Sequence, residues 1–167
     1  FAGTAGMTHA FRSDGWEIGR PLDVADCEDF NMLNPLFVGV ILGIINEGRI
    51  GLLWLGPPCS TFSMAVNRFP SHAMRSRDLP SGLPHLTATQ QDKVDLGNSL
   101  AMTAVIFMQA QHHAHGFFIW EQPASSLMLV YEPAAAFFAK IGAYKADRDV
   151  CVDGAPWRKS TSFVSNH

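Results

Sequence analysis

Apolar residues along this chain fall into two patterns, short continuous runs and stripes spaced by three and four. Ile50-Gly51-Leu52-Leu53-Trp54-Leu55 and Phe117-Phe118-Ile119-Trp120 are unbroken runs about the length of a buried strand. Leu36, Phe37, Val40, Ile41, Ile44 and Ile45 instead recur with helical spacing behind Asn34-Pro35, a cap and first-turn proline, and Gly48 ends that run. A long helix is expected from Thr87 to His115, with Leu100, Ala101, Ala104, Val105 and Met108 as its buried stripe and Gly116 as its stop. Residues 132–141 predict another helix, 144–151 a strand, and Ser162-Phe163-Val164 a last strand. At the start, Phe1-Ala2-Gly3-Thr4-Ala5-Gly6 reads as a glycine turn into a helix on which Met7, Ala10 and Phe11 share a face. Strands alternating with helices predict an α/β domain with a mostly parallel sheet and helices on both faces. At 167 residues and 47% apolar content, one domain spanning residues 1–167 is expected.

Composition narrows this picture modestly. The longest apolar run, Leu36 to Ile45, is too short for a membrane span, and no basic-then-apolar leader opens the chain, so a soluble protein is expected; its oligomeric state is left open, with a monomer as the default. Cys27, Cys59 and Cys151 have no paired spacing, which fits a reducing intracellular compartment, including a nucleus, better than a disulfide framework or a zinc cage. His112, His113 and His115 suit a helix C-terminus and carry no metal-ligand pattern. The net charge of −3 gives no overall nucleic-acid signature, yet Arg68, His72, Arg75 and Arg77 cluster in the polar, proline-bearing stretch 68–84. That stretch reads as a mobile lid for a polyanionic substrate.

The chemistry concentrates in Gly56-Pro57-Pro58-Cys59-Ser60-Thr61-Phe62-Ser63, directly after the first apolar run. Two prolines cannot continue a sheet ladder, so this loop should lift Cys59 from the strand's carboxyl edge, where open α/β sheets place their sites. The second run should deliver Glu121 to the same edge, with Pro123 breaking the ladder. A carboxyl there can share or donate a proton beside a nucleophilic thiol. Asp23, after an expected second strand, is a candidate acceptor for ribose hydroxyls, while Asp26 and Glu28 crowd the same segment and can take either role.

Gly-Pro-Pro-Cys-x-x-Phe-Ser resembles the nucleophile motif of cytosine-5 methyltransferases. Phe1–Gly6, Trp120-Glu121-Gln122-Pro123 and Gly154-Ala155-Pro156-Trp157-Arg158-Lys159 resemble further motifs of that family, in the same order. The resemblance implies a Rossmann-like S-adenosylmethionine-dependent methyltransferase fold, and methyl transfer to carbon 5 of cytosine in DNA. It implies Cys59 as nucleophile, Glu121 at ring nitrogen 3, Pro58 facing base and cofactor, and Arg158 or Lys159 as a cation near the base or a phosphate. Phe1, Ala2, Gly3, Thr4 and Gly6 would border S-adenosylmethionine together with Asp23, Val24, Asp29 and Phe30. Ser60, Ser63, Arg68, Arg75 and Arg77 would meet nucleic acid. Departures are visible: Ser60 replaces a usual glutamine, Gln122-Pro123 replaces Asn-Val, and two arginine positions read Lys159 and Thr161. The chain opens inside what should be the end of a first strand and has no segment readable as a target-recognition domain, so it reads as a fragment. Methylation of a structured RNA and a non-catalytic remnant that binds cofactor or nucleic acid are the competing readings.

Overall fold

The computed structural model describes residues 6–153 and 159–167. Among these residues there are five α-helices: α1 (Gly6–Ser13), α2 (Pro35–Asn46), α3 (Met64–Asn67), α4 (Ala88–His113) and α5 (Glu132–Ile141). Four strands, β1 (Leu52–Leu55), β2 (Phe117–Pro123), β3 (Tyr144–Asp149) and β4 (Ser160–Ser165), form one sheet in the order β1-β2-β4-β3. Local chemistry explains the helix ends. Asn34 accepts from Leu36 N at 3.0 Å and caps α2. Thr87 and Gln90 form a reciprocal capping box at α4. Gly142, at φ +64°, closes α5 in the left-handed conformation.

The sheet is mixed rather than mostly parallel. Only β1 and β2 run parallel, as their connection through the long helix α4 requires; β4 is antiparallel to both β2 and β3. The connection from β3 to β4 contains no crossover helix among its described residues, and such a short return makes antiparallel neighbours. The strand expected before Asp23 is also absent among the described residues, since 16–23 has no regular structure. Gly15 at φ +85° opens that stretch and Pro21 interrupts it.

Pro123 does not break the ladder. It belongs to β2 and pairs with Thr161. Phe117 N donates to Gly51 O on the β1 side and Ala124 N to Ser160 O on the β4 side, so odd-numbered amides of β2 face β1. Because β1 ends at Leu55, level with Trp120, the missing N–H of Pro123 faces no strand and costs no hydrogen bond.

Side-chain alternation splits the sheet into two faces. Leu55, Phe118, Trp120 and Val164 join Ala101, Ala104, Val105 and Met108 of α4 and Phe137 of α5 in the core, and α2 packs against α4 with Ile41 and Ile45 buried. The opposite face carries Trp54, Ile119, Glu121 and Phe163 and is covered less completely. Phe11 of α1 meets Trp54 edge-on at 5.9 Å there, while Tyr144 stays 70% exposed.

Candidate functional site

The loop after β1 forms an arch with buried feet. Pro57 and Thr61 are buried, Pro58 and Ser60 are exposed, and Cys59 between them is half-buried. One foot is held by Gln122, whose side chain is 2% exposed on the core face of β2: its Nε2 donates to Pro57 O at 2.9 Å. Ser126 Oγ in turn donates to Gln122 Oε1 at 3.1 Å, so both ends of the buried carboxamide are satisfied. The other foot continues into Phe62, fully buried and edge-on to Tyr131 at 5.6 Å, with Leu127 N donating to Phe62 O at 2.9 Å. The sequence pattern passes over Gln122, although strand alternation places it on the face opposite Glu121 and therefore in the core.

Glu121 comes from β2 on the less-covered face. Trp54 Nε1 of β1 donates to its Oε2 at 3.2 Å. Oε1 has no hydrogen-bond partner among the described residues. Since β1 and β2 are parallel neighbours, the Cys59 arch and Glu121 belong to the same carboxyl edge of the sheet. One shallow hollow is lined by Trp54, Ile119, Phe163 and Tyr144, and another by Met32, Val38, Met102 and Tyr131; neither includes Cys59 or Glu121.

The polar stretch 68–84 is strapped to the body of the protein. Arg75 is 1% exposed, and all five of its N–H groups have acceptors. Nε and Nη2 donate to Thr61 Oγ1 at 3.1 and 2.9 Å, Nη2 also to Val94 O at 3.0 Å, and Nη1 to Pro80 O and Asn98 Oδ1 at 2.6 and 2.7 Å. Its guanidinium lies 3.6 Å from the centre of the Phe62 ring. Burial lowers its pKa to about 10, still well above neutrality, so the buried group is a cation held by neutral acceptors. The expectation that Arg75 contacts a phosphate is therefore corrected, because every donor is already used inside the fold. Arg68 and Arg77 are exposed and accessible to a polyanion. Ser60 is exposed as well, whereas Ser63 Oγ accepts from Ala65 N at 3.2 Å and caps α3.

Of the cofactor candidates, Gly6 opens α1 and Phe1 to Thr4 lie outside the described residues, as does Arg158. Asp23 is half-buried and its Oδ1 accepts from Ala25 N at 3.0 Å, an Asx turn that fixes the carboxylate's direction. Val24 and Asp29 are exposed. Phe30 stacks on Phe37 at 5.6 Å, and Arg20 sits 4.7 Å from its ring centre, so its aromatic surface is engaged within the protein. Lys159 is exposed just before β4. Among the described residues, no three His, Cys, Asp or Glu side chains gather as a metal site would need, and no helix is long and apolar enough to cross a membrane. Compared with known proteins, the chain matches no family model, no curated protein and no solved structure.

Proposed function

We propose that the protein is a Rossmann-like S-adenosylmethionine-dependent methyltransferase acting on carbon 5 of cytosine in DNA. The observation that carries this reading is the arch Pro57–Thr61. Its anchored feet hold Cys59 at the carboxyl end of β1, beside the strand that presents Glu121. A lone thiol would carry little weight. A thiol on an arch with anchored feet, at the same sheet edge as a carboxylate oriented by an indole, matches what conjugate addition to a pyrimidine requires.

The parts divide as follows. S-adenosylmethionine, when bound, supplies an electrophilic methyl group for carbon 5. Cys59 adds its thiolate to carbon 6 and leaves again once the proton on carbon 5 has departed to a base. Glu121 holds a proton at ring nitrogen 3 through Oε1 while the negative charge from thiolate addition resides on the ring. Asp23, with its carboxylate direction fixed, fits an acceptor for ribose hydroxyls, and Asp29 is a second acceptor on the same segment. Because stacked duplex buries carbon 6, the cytosine must leave the stack or arrive unpaired.

Trapping with 5-fluorocytosine tests the reading, since fluorine cannot leave carbon 5 as a proton does. Incubation with S-adenosylmethionine and 5-fluorocytosine DNA should give a covalent complex that Cys59→Ser abolishes and Cys27→Ser and Cys151→Ser preserve. Glu121→Gln should slow its formation about a hundredfold, the usual scale for lost proton assistance. Trapping by 5-fluorocytosine RNA alone would move the substrate to RNA. Cofactor binding with no adduct on either polymer would favour the non-catalytic remnant.

A further inference from the structure

We infer that Arg75 is a positioning residue for Cys59, acting through Thr61. Its catalytic consequence rests on the reading of Cys59 given above; the mechanical part does not. Only Pro58, Cys59 and Ser60 lie between the two feet of the arch, so the thiol's position follows from how firmly each foot is fixed. The first foot has Gln122. The second is fixed by a cation whose Nε and Nη2 both point at the one oxygen Thr61 Oγ1, and which covers the ring of Phe62 in the same stroke.

Two neighbouring features are built around this contact. Gly97 on α4 leaves room for it: a Cβ there would lie 2.7 Å from Thr61 Oγ1 and 3.0 Å from Arg75 Nη2. Asn67 locks the approach of the Arg75 backbone. Its Oδ1 accepts from Met74 N and Arg75 N at 2.9 Å each, while its Nδ2 donates to Thr61 O at 2.8 Å and Ser63 O at 2.9 Å. A buried guanidinium without a carboxylate partner in its hydrogen-bond set is an expensive way to close a loop, since a hydrophobic side chain would pack there at lower desolvation cost. The five-donor fork instead fixes direction, joining the foot of the arch to Pro80, Val94 and Asn98 at once.

The test reads Cys59 directly, by its rate of alkylation with iodoacetamide followed by peptide mass spectrometry, with exposed Cys151 as internal reference. Thr61→Val keeps the side chain's shape and removes the acceptor; Thr61→Ser keeps the acceptor and removes the methyl. Thr61→Val and Arg75→Met each remove both bonds to Thr61 Oγ1 and should raise the Cys59 rate relative to Cys151 by about tenfold or more, while Thr61→Ser stays near the parent. Equal rates in Thr61→Val and the parent, or matching increases in Thr61→Val and Thr61→Ser, would overturn the inference. Should Arg75→Met fail to fold, the two Thr61 variants decide alone. If alkylation responds as stated but the parent protein traps no fluorinated cytosine, the positioning stands and the methyl-transfer reading falls.

Discussion

Trp54 Nε1 and Glu121 Oε2 are joined at 3.2 Å across the one parallel ladder of the sheet. The indole also lies between Phe11 at 5.9 Å and Phe163 at 5.7 Å, both edge-on, so the ring is fixed before it donates. A carboxylate on a strand would otherwise sample several rotamers. Here one oxygen is committed, and the direction of the other follows from it. A double-mutant cycle with Trp54→Phe and Glu121→Leu should return a favourable coupling of about 1.5 kcal/mol in urea unfolding. That is the lower end for a bond to a charged group, as suits a half-buried pair. Coupling indistinguishable from zero would mean that packing alone orients the carboxylate.

Glycines at two helical positions should respond in opposite directions. Gly39 of α2 is exposed with nothing within 4 Å of a built Cβ, so Gly39→Ala should stabilise by about 1 kcal/mol through helix propensity. Gly97→Ala would gain the same propensity but push a methyl to 2.7 Å from Thr61 Oγ1 and 3.5 Å from Phe62. Overpacking of that kind costs about 1–3 kcal/mol, so the net effect should be destabilising. Thermal melts of the two variants beside the parent decide the matter.

Much of this architecture is legible because local chemistry and tertiary packing agree. Asn34-Pro35, Thr87 with Gln90, and Gly142 each solve a helix end by themselves, and the runs at 52–55 and 117–120 have no use other than a buried sheet. What is not legible depends on partners far along the chain. That Pro123 continues a strand follows only once β1 is known to end level with Trp120. Arg75 looks identical to Arg68 and Arg77 in sequence, because its acceptors come from Thr61, Pro80, Val94 and Asn98, up to 23 residues away. The insertion of β4 between β2 and β3 is likewise a choice of pairing partner that alternation cannot encode.

His112 predicts a pH effect on stability. Burial chiefly lowers its pKa from the usual histidine value, and His113, His167, His115 and Lys140 add to the depression. In the native state its Nδ1 lies 3.3 Å from Asn166 Nδ2, a contact that needs the unprotonated ring. Between the depressed native value and the ordinary value near 6.5, the unfolded chain binds more protons, so stability falls as pH drops through that window. His112→Gln should flatten the acid limb of a stability profile measured between pH 7 and 5. A parallel limb in the variant would assign the loss to other groups.

Binding of a nucleic acid should depend on Arg68 and Arg77 but not on Arg75. The first two are exposed on the stretch that follows the Cys59 arch, and each can neutralise one phosphate. Releasing one condensed counterion per contact gives a slope of about −0.9 in log affinity against log salt for duplex DNA. Arg68→Gln with Arg77→Gln should therefore reduce the slope's magnitude by about 2 and weaken binding equally across unrelated sequences. Arg75 has no donor to offer, so its effect should enter through the fold: Arg75→Met should lower the melting temperature while leaving the slope where it was. Fluorescence anisotropy over a salt series reads both quantities on one DNA. A slope unmoved by the double substitution would remove this stretch from the contact surface, and a slope reduced by Arg75→Met would mean that the guanidinium leaves its buried acceptors to meet phosphate.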